Sequence, residues 1–517
     1  MLKKVIVIIF LSLITIFNLS AQTKPRQQSP FIVKGFHIDL RIQVMTMDAL
    51  KAFALRLSKE GINTLIMEWE GTYPFVKHPL IANRYAYTKE EIAGFINYCN
   101  FLGIDVIPLQ QSFGHVEYIL RNERYKNLRE DQKDFSQVCP LQTEQDKALF
   151  TDLYAELAAT HTSKYIHIGG DETYLLGHDE RCRLKAAKEG KSKLYIDYIK
   201  MLCDIVIKLG KTPVLWADIA LKYPDAIKLL PKSTVFIDWN YGWDMNNFGD
   251  HQKLVQSGYE IWGAPAIRSN PDNYFLTQWE KHFKNIRDFV PAAAALGYKG
   301  IIMTSWSTSG QYSPVFESEN EMSEEYAIRH VYPLSGFNML VEAYTQSIST
   351  AKPLNIEGFI TKYCADHYGF NAGESGKFWH ALKVTPYEIR NGKVESVMQF
   401  SISQVSDSTK MALETLYQLK PDKNKDEFEH YRLIMGIRLN YLQFEEIVQK
   451  VNSPSFTVTM VPGVLQELKN LMANGEIIDL HFTELNKKFL NPSEIETENN
   501  VRNLRVKLLY DRLSRNK

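Results

Sequence analysis

Asp171 and Glu172, two adjacent carboxylates, close the hexapeptide His167-Ile168-Gly169-Gly170-Asp171-Glu172. Immediately upstream, Lys164-Tyr165-Ile166-His167-Ile168 is a short apolar run with β-branched residues and reads as a buried strand. The glycines at 169 and 170 let the backbone turn sharply and come close to a ligand. An acidic pair at a strand end is where an α/β enzyme places proton transfer. A capping role on a following helix accounts for either carboxylate equally well, so the rest of the chain has to discriminate.

Such a pair needs a scaffold. From Phe31 to Ser349 the chain repeats one unit: a short apolar run, a polar loop, then a helical stretch. The strands expected are Val33–Asp39, Thr64–Glu68, Asp105–Gln110, Tyr165–Gly169, Thr212–Trp216, Thr234–Asp238, Tyr259–Gly263 and Gly300–Ser305. Helical periodicity lies between several of them, at Met47–Lys59, Lys89–Leu102, Gln145–His161, Leu194–Leu209 and Ile286–Leu296. Gly61, Gly103, Gly210 and Gly297 stand where helices should stop. Eight strands alternating with helices are the signature of an α/β fold, the (β/α)8 or TIM barrel. A doubly wound open sheet is the runner-up, but no GxGxxG follows the first strand.

A barrel puts its chemistry where strands end. In order, the ends read Asp39 and Arg41; Glu68, Trp69 and Glu70; Gln110, Gln111 and His115; Asp171 and Glu172; Trp216 and Asp218; Asp238, Trp239, Asn240 and Tyr241; Trp262; and Trp306. A rim of carboxylates and indoles around one mouth suits a sugar ring. Rim packing explains each tryptophan singly, and salt bridges with Arg41 or nearby lysines explain Asp39, Glu68 and Asp218 as well as sugar hydroxyls do. His37 and His167 fall inside strands and read as barrel-core residues.

Lys+Arg and Asp+Glu are 60 each in 517 residues, so no basic excess exists to neutralise phosphates and nucleic acid is not an expected partner. Residues 1–21 read as a signal peptide: Lys3-Lys4 precede the apolar run Val5 to Leu19, with a small-residue cleavage site near Ala21. That run is short of the about 20 residues a membrane span requires. The expectation is export, to the periplasm or beyond the cell, with no stable membrane span. The five cysteines are scattered without a CxxC, which argues against a disulfide framework or zinc site and for small buried hydrophobes. A catalytic barrel over residues 31–349 is followed, over 351–517, by a mostly α-helical domain, with helical spacing at Phe428–Lys450, Pro462–Met472 and Val501–Leu513. Structural support and homodimer contact are the roles open to such a bundle.

These residues resemble a known family. HIGGDE, ending at Asp171-Glu172, matches the acidic signature of family 20 glycoside hydrolases, the β-N-acetylhexosaminidases. The fuller likeness is to the hexosaminidase D-like branch. Gln110 to Glu117 is similar to its "QTFGHxE" segment, Val214 to Asp218 to "LVWDD", Trp239-Asn240-Tyr241 to "WDY", and Gly300 to Trp306 to "GIILTGW". The resemblance runs in order from about Gly35 to Trp306 and implies a (β/α)8 barrel that removes terminal β-linked N-acetylhexosamine from a glycan or glycoconjugate. Many members carry a first-strand arginine for sugar hydroxyls. Lys34 stands nearest that position here, and Arg41 is a substitute cation.

Adjacent carboxylates do not easily flank a scissile bond as the usual retaining pair does. They fit substrate-assisted catalysis, in which the 2-acetamido oxygen attacks the anomeric carbon. Glu172 would be general acid, then base; Asp171 would accept the acetamido N–H; and Tyr241 would donate to the acetamido oxygen. Trp216, Trp239, Trp262 and Trp306 would wall the pocket, with His115 near the pair and Asp39, Arg41, Glu68 and Asp218 as further sugar ligands. No metal or organic cofactor is needed. Glu172 should have a raised pKa, pushed by Asp171. The rivals are a glycosidase with its own carboxylate nucleophile, which would want a glutamate ending strand seven, a metal-dependent barrel hydrolase, which would want His-x-His on strand one, and a non-catalytic glycan-binding barrel.

Overall fold

Parallel strands covered on both faces are built from near-continuous apolar runs rather than alternating ones. In a computed structural model of the chain, Thr64–Glu68 and Gly300–Ser305 are buried at every residue. The structure describes residues 29–515 except 244, 246, 248, 269–271, 273–275, 308–330 and 391. The expected signal peptide lies outside the described residues.

Eight parallel strands close on themselves: Val33–Asp39, Thr64–Glu68, Asp105–Leu109, Tyr165–His167, Thr212–Trp216, Val235–Trp239, Glu260–Ala264 and Gly300–Ser305. Closure is direct, with Val33 aligned to Gly300 and Lys34 to Ile301. The (β/α)8 barrel expected from the repeat is therefore the fold. Its lumen is packed with Ile66, Ile107, Val214, Trp216, Ile237 and Ile302, a filled core rather than a pore. Helices Met47–Lys59, Lys89–Phe101, Thr143–Thr160, Lys191–Lys208 and Trp279–Ala295 cover the outside. Gly61, Gly103, Gly210 and Gly297 all have positive φ just past a helix end, the left-handed geometry that glycine adopts without a steric cost.

Strands three and four stop one and two residues early and strand six one residue late, but the departure that moves a predicted site residue is at strand seven. The seventh strand does not finish at Gly263. Pro265 has no N–H to continue the ladder, yet its carbonyl accepts from Thr304 N at 2.8 Å, and the chain resumes as Ala266–Arg268 beside the eighth strand. Trp262 consequently aligns with Gly300, the first residue of strand eight, and packs on Tyr165, the first residue of strand four, at 5.3 Å. It sits at the barrel's N-terminal end.

Beyond Thr350 the described chain is mostly helical: Ile356–Tyr368, Ala372–Lys383, Ile402–Gln418, Lys425–Val451, Val461–Asn486 and Pro492–Ser514, with one small hairpin, Ile389–Arg390 and Lys393–Val394. It shares the barrel's apolar core. Trp279 on a barrel helix stacks on Phe337 and meets Tyr431, while Phe283 meets Phe359 and Trp379. The last helices also reach the loop after strand one, where Thr46 N donates to Phe489 O at 2.8 Å and Asn491 N to Val44 O at 2.9 Å. No helix among the described residues is long and apolar enough to cross a membrane.

Candidate active site

Strand four is only three residues long, so Asp171 and Glu172 hang on the turn that follows it. Gly169 and Gly170 lie at φ 72° and 96°, and Glu172 itself at φ 48°. The loop after strand three closes against that turn because residue 114 is glycine. A Cβ there would stand 2.6 Å from the Asp171 carbonyl oxygen. The close approach delivers His115, whose Nε2 is 3.2 Å from Glu172 Oε2 and 3.5 Å from Asp171 Oδ2. Two tyrosines of the covering helix Lys191–Lys208 tie both loops down: Tyr195 donates to Gly170 O at 2.7 Å and Tyr198 to Ser112 O at 2.9 Å. Asp218, after strand five, accepts the Glu172 N–H on Oδ2 at 3.2 Å.

Glu70, His115 and Glu172, each following a different strand, are held at positive φ. Each such non-glycine residue costs about 1–3 kcal/mol, so the surrounding contacts must hold them there. Trp69, next to Glu70, is fixed by its indole N–H to His161 Nε2 at 3.0 Å.

The charges interlock. Burial disfavours the His115 imidazolium, but Asp171, then Glu172 and Glu117, outweigh it and raise His115 well above the ordinary range. Burial pushes Glu172 up, yet the His115 hydrogen bond and charge, the Tyr174 hydroxyl and Arg41 pull it below the ordinary carboxylate range. That differs from the raised value expected from Asp171 alone, because His115 carries the local proton. Burial instead raises Asp218 to about 8, the Asp171 charge adding to it. Among the described residues, Asp171 Oδ1, Asp218 Oδ1 and both Glu117 oxygens are buried with no hydrogen-bond partner.

Aromatic rings wall the same mouth. Trp306 Nε1 donates to the Tyr241 hydroxyl at 2.9 Å, and Tyr241 packs on Trp239 and Trp243 at centroid distances of 5.0 and 5.4 Å. Trp216 lies 5.7 Å from Trp306, over the buried His167 and His37. Burial pushes the Tyr241 phenol up, and among the further causes are the charges of Asp171 and Glu172.

The structure thus brings together Asp171, Glu172, His115, Asp218, Trp216, Trp239, Tyr241 and Trp306. It leaves Trp262 at the opposite end of the barrel, with its indole N–H on Glu260 Oε1 at 2.8 Å. Asp39, Arg41 and Glu68 are at the mouth but engaged with protein. Asp39 takes Arg41 on both oxygens and Ser307 N at 2.8 Å, while Glu68 takes His37 Nε2 at 2.9 Å and Gln111 Nε2 at 3.1 Å. Sequence reasoning gave no role to Glu117, Tyr174 and Trp243. The run Trp239-x-Tyr241-x-Trp243, three aromatic residues clustered at a strand end, was the available signal for the last.

All five cysteines are free and buried. Glu130, Cys139 and Cys182 form the one group of described residues that gathers three metal-type ligands. Arg181 adds a cation beside Cys139, which disfavours a second one there.

The family model described as "Glycosyl hydrolase family 20, catalytic domain" matches residues 56–334. The chain is similar to hexosaminidase D of Bos taurus, 27% identical over 274 residues, covering 50% of this chain and 79% of the relative. Hexosaminidase D of Homo sapiens is 26% identical over 307 residues, covering 56% of this chain and 63% of the relative. Among solved structures, a β-N-acetylhexosaminidase from Bacteroides fragilis aligns over 65% of this chain and 70% of its own, at 17% identity and TM-score 0.49.

Proposed function

The chain belongs to glycosyl hydrolase family 20, and from that premise we propose that it is an exo-acting, retaining β-N-acetylhexosaminidase working by substrate-assisted catalysis on terminal β-linked N-acetylglucosamine or N-acetylgalactosamine. The observation that carries the reading is the Asp171 carboxylate. Oδ2 faces His115, while Oδ1 is buried with no partner among the described residues. A buried acceptor left unpaired is costly, and a donor such as an acetamido N–H would satisfy it. Asp171 then orients the acetamido oxygen for attack on the anomeric carbon and balances the positive charge that develops.

Glu172 protonates the departing glycosidic oxygen and afterwards takes a proton from the attacking water. Its resting pKa is low because His115 is cationic, so the working proton belongs to the His115–Glu172 pair. Tyr241 donates to the acetamido oxygen, and Trp216, Trp239 and Trp306 keep water from the intermediate. An enzyme nucleophile would need a glutamate ending strand seven. Glu260 begins that strand, aligned with Val235 at the start of strand six, which favours the substrate's own oxygen.

The test is hydrolysis of a chromogenic N-acetylhexosaminide by Glu172→Gln and Asp171→Asn. Both variants should stay folded and lose turnover; wild-type rates from either would end the assignment. On the strength of residues 1–21 we also propose action outside the cytoplasm, checked by the N-terminus of the mature protein.

A further inference from the structure

The acid carries a ring on its outer side that the proposed pocket does not use. Tyr174, two residues past Glu172, is 73% exposed, whereas Trp216, Trp239, Tyr241 and Trp306 are all buried. Its hydroxyl donates to Glu172 Oε1 at 3.0 Å, leaving Oε2 to His115. The loop beneath the ring is pinned. Tyr174 N donates to Glu172 O at 2.8 Å and Leu175 N to Gln137 Oε1 at 3.0 Å. Gly177 N and Asp179 N both donate to Glu130 Oε1, at 2.8 and 3.2 Å. Gln137 and Glu130 are buried side chains of the hairpin Arg129–Asp131 and Asp134–Val138.

A large ring held rigidly in solvent forgoes the free energy of burial unless a ligand covers it, and a rigid ring offers contact area at little entropic cost. A general acid must stand within hydrogen-bond reach of the oxygen it protonates. Whatever is attached to that oxygen therefore passes beside the residue bonded to the acid.

We propose that Tyr174 is the platform of an aglycone subsite, its exposed face taking the sugar ring that bears the terminal N-acetylhexosamine while its hydroxyl steadies Glu172 Oε1. The inference rests on the reading of Glu172 as the acid. The substrate class it selects is an oligosaccharide with a pyranose next to the scissile bond, not an N-acetylhexosaminide of a small acyclic group.

Wild type, Tyr174→Phe and Tyr174→Ala are compared on the β-linked disaccharide of N-acetylglucosamine and on N-acetylglucosaminyl fluoride, whose leaving group cannot cover the ring. Tyr174→Ala should lower kcat/KM for the disaccharide by about 3- to 10-fold more than for the fluoride, mainly through KM, the worth of one aromatic contact. Tyr174→Phe should keep the disaccharide preference and move the pH profile, because only the hydroxyl on Glu172 is lost. Equal losses on both substrates in Tyr174→Ala, or a wild type that cleaves the fluoride but not the disaccharide, would overturn the platform and leave the glycosidase reading standing. A wild type inert toward both would overturn the two together.

Discussion

At the barrel mouth, positive φ falls on Glu70, His115 and Glu172; in the helical region it falls on Ala351, Gln399 and Asn424. The local backbone cost is similar, but the settings are not. Ala351 ends a helix, Asn424 begins one, and Gln399 and Asn424 are exposed. There the left-handed residue serves only to reverse the chain. At the mouth, the same conformation aims titratable groups at one another, beside buried acceptors with no partner among the described residues. Strain that recurs with unsatisfied polar atoms marks chemistry; strain at an exposed helix end marks topology.

Substitutions sharpen that contrast. The largest effect belongs to Glu172→Gln, which should cost about 10³-fold or more in kcat with an unchanged melting temperature. Asp171→Asn should cost about 10²- to 10³-fold, because a developing positive charge loses its balance. A weaker, pH-dependent effect is expected at His115. Since His115 is raised and Glu172 lowered, the pair keeps one proton until His115 titrates well above pH 6.5, and kcat/KM falls on the alkaline side as that proton leaves. In His115→Gln the carboxyl must hold the proton alone, so the alkaline limb should move to lower pH by about one unit or more; an unmoved limb would disconnect His115 from the acid. The smallest effect lies in the helical region. Gln399→Gly should raise stability by about 0.5–1 kcal/mol in denaturant titration and leave kcat untouched. A change in kcat there would break the contrast outright.

Much of this was legible in the residues themselves. All eight barrel strands follow from buried apolar runs and helix-ending glycines, and the Asp171–Glu172 pair follows from the glycines that precede it. Trp262 misled because Pro265 interrupts the ladder after Ala264 and the chain then pairs again over Ala266–Arg268, so the mouth end of this segment lies at Arg268, well past Trp262. Local pattern cannot show that Pro265 is followed by renewed pairing with strand eight. The helix starting at Val461 runs to Asn486 rather than stopping near Met472, since Gly475 lets Asn503 of the last helix approach closely. That is tertiary packing overriding a residue of poor helix propensity. The depressed Glu172 pKa depends on a histidine from another strand end, which only the closed barrel brings near.

The sharpest measurement is kcat/KM across aryl glycosides whose 2-acetamido group carries no fluorine, then one, two and three. Each fluorine withdraws electrons from the carbonyl oxygen that attacks the anomeric carbon. Attack by the substrate itself predicts a steep fall, on the order of 10²-fold or more over the series. A flat series would contradict it and hand the nucleophile to the protein.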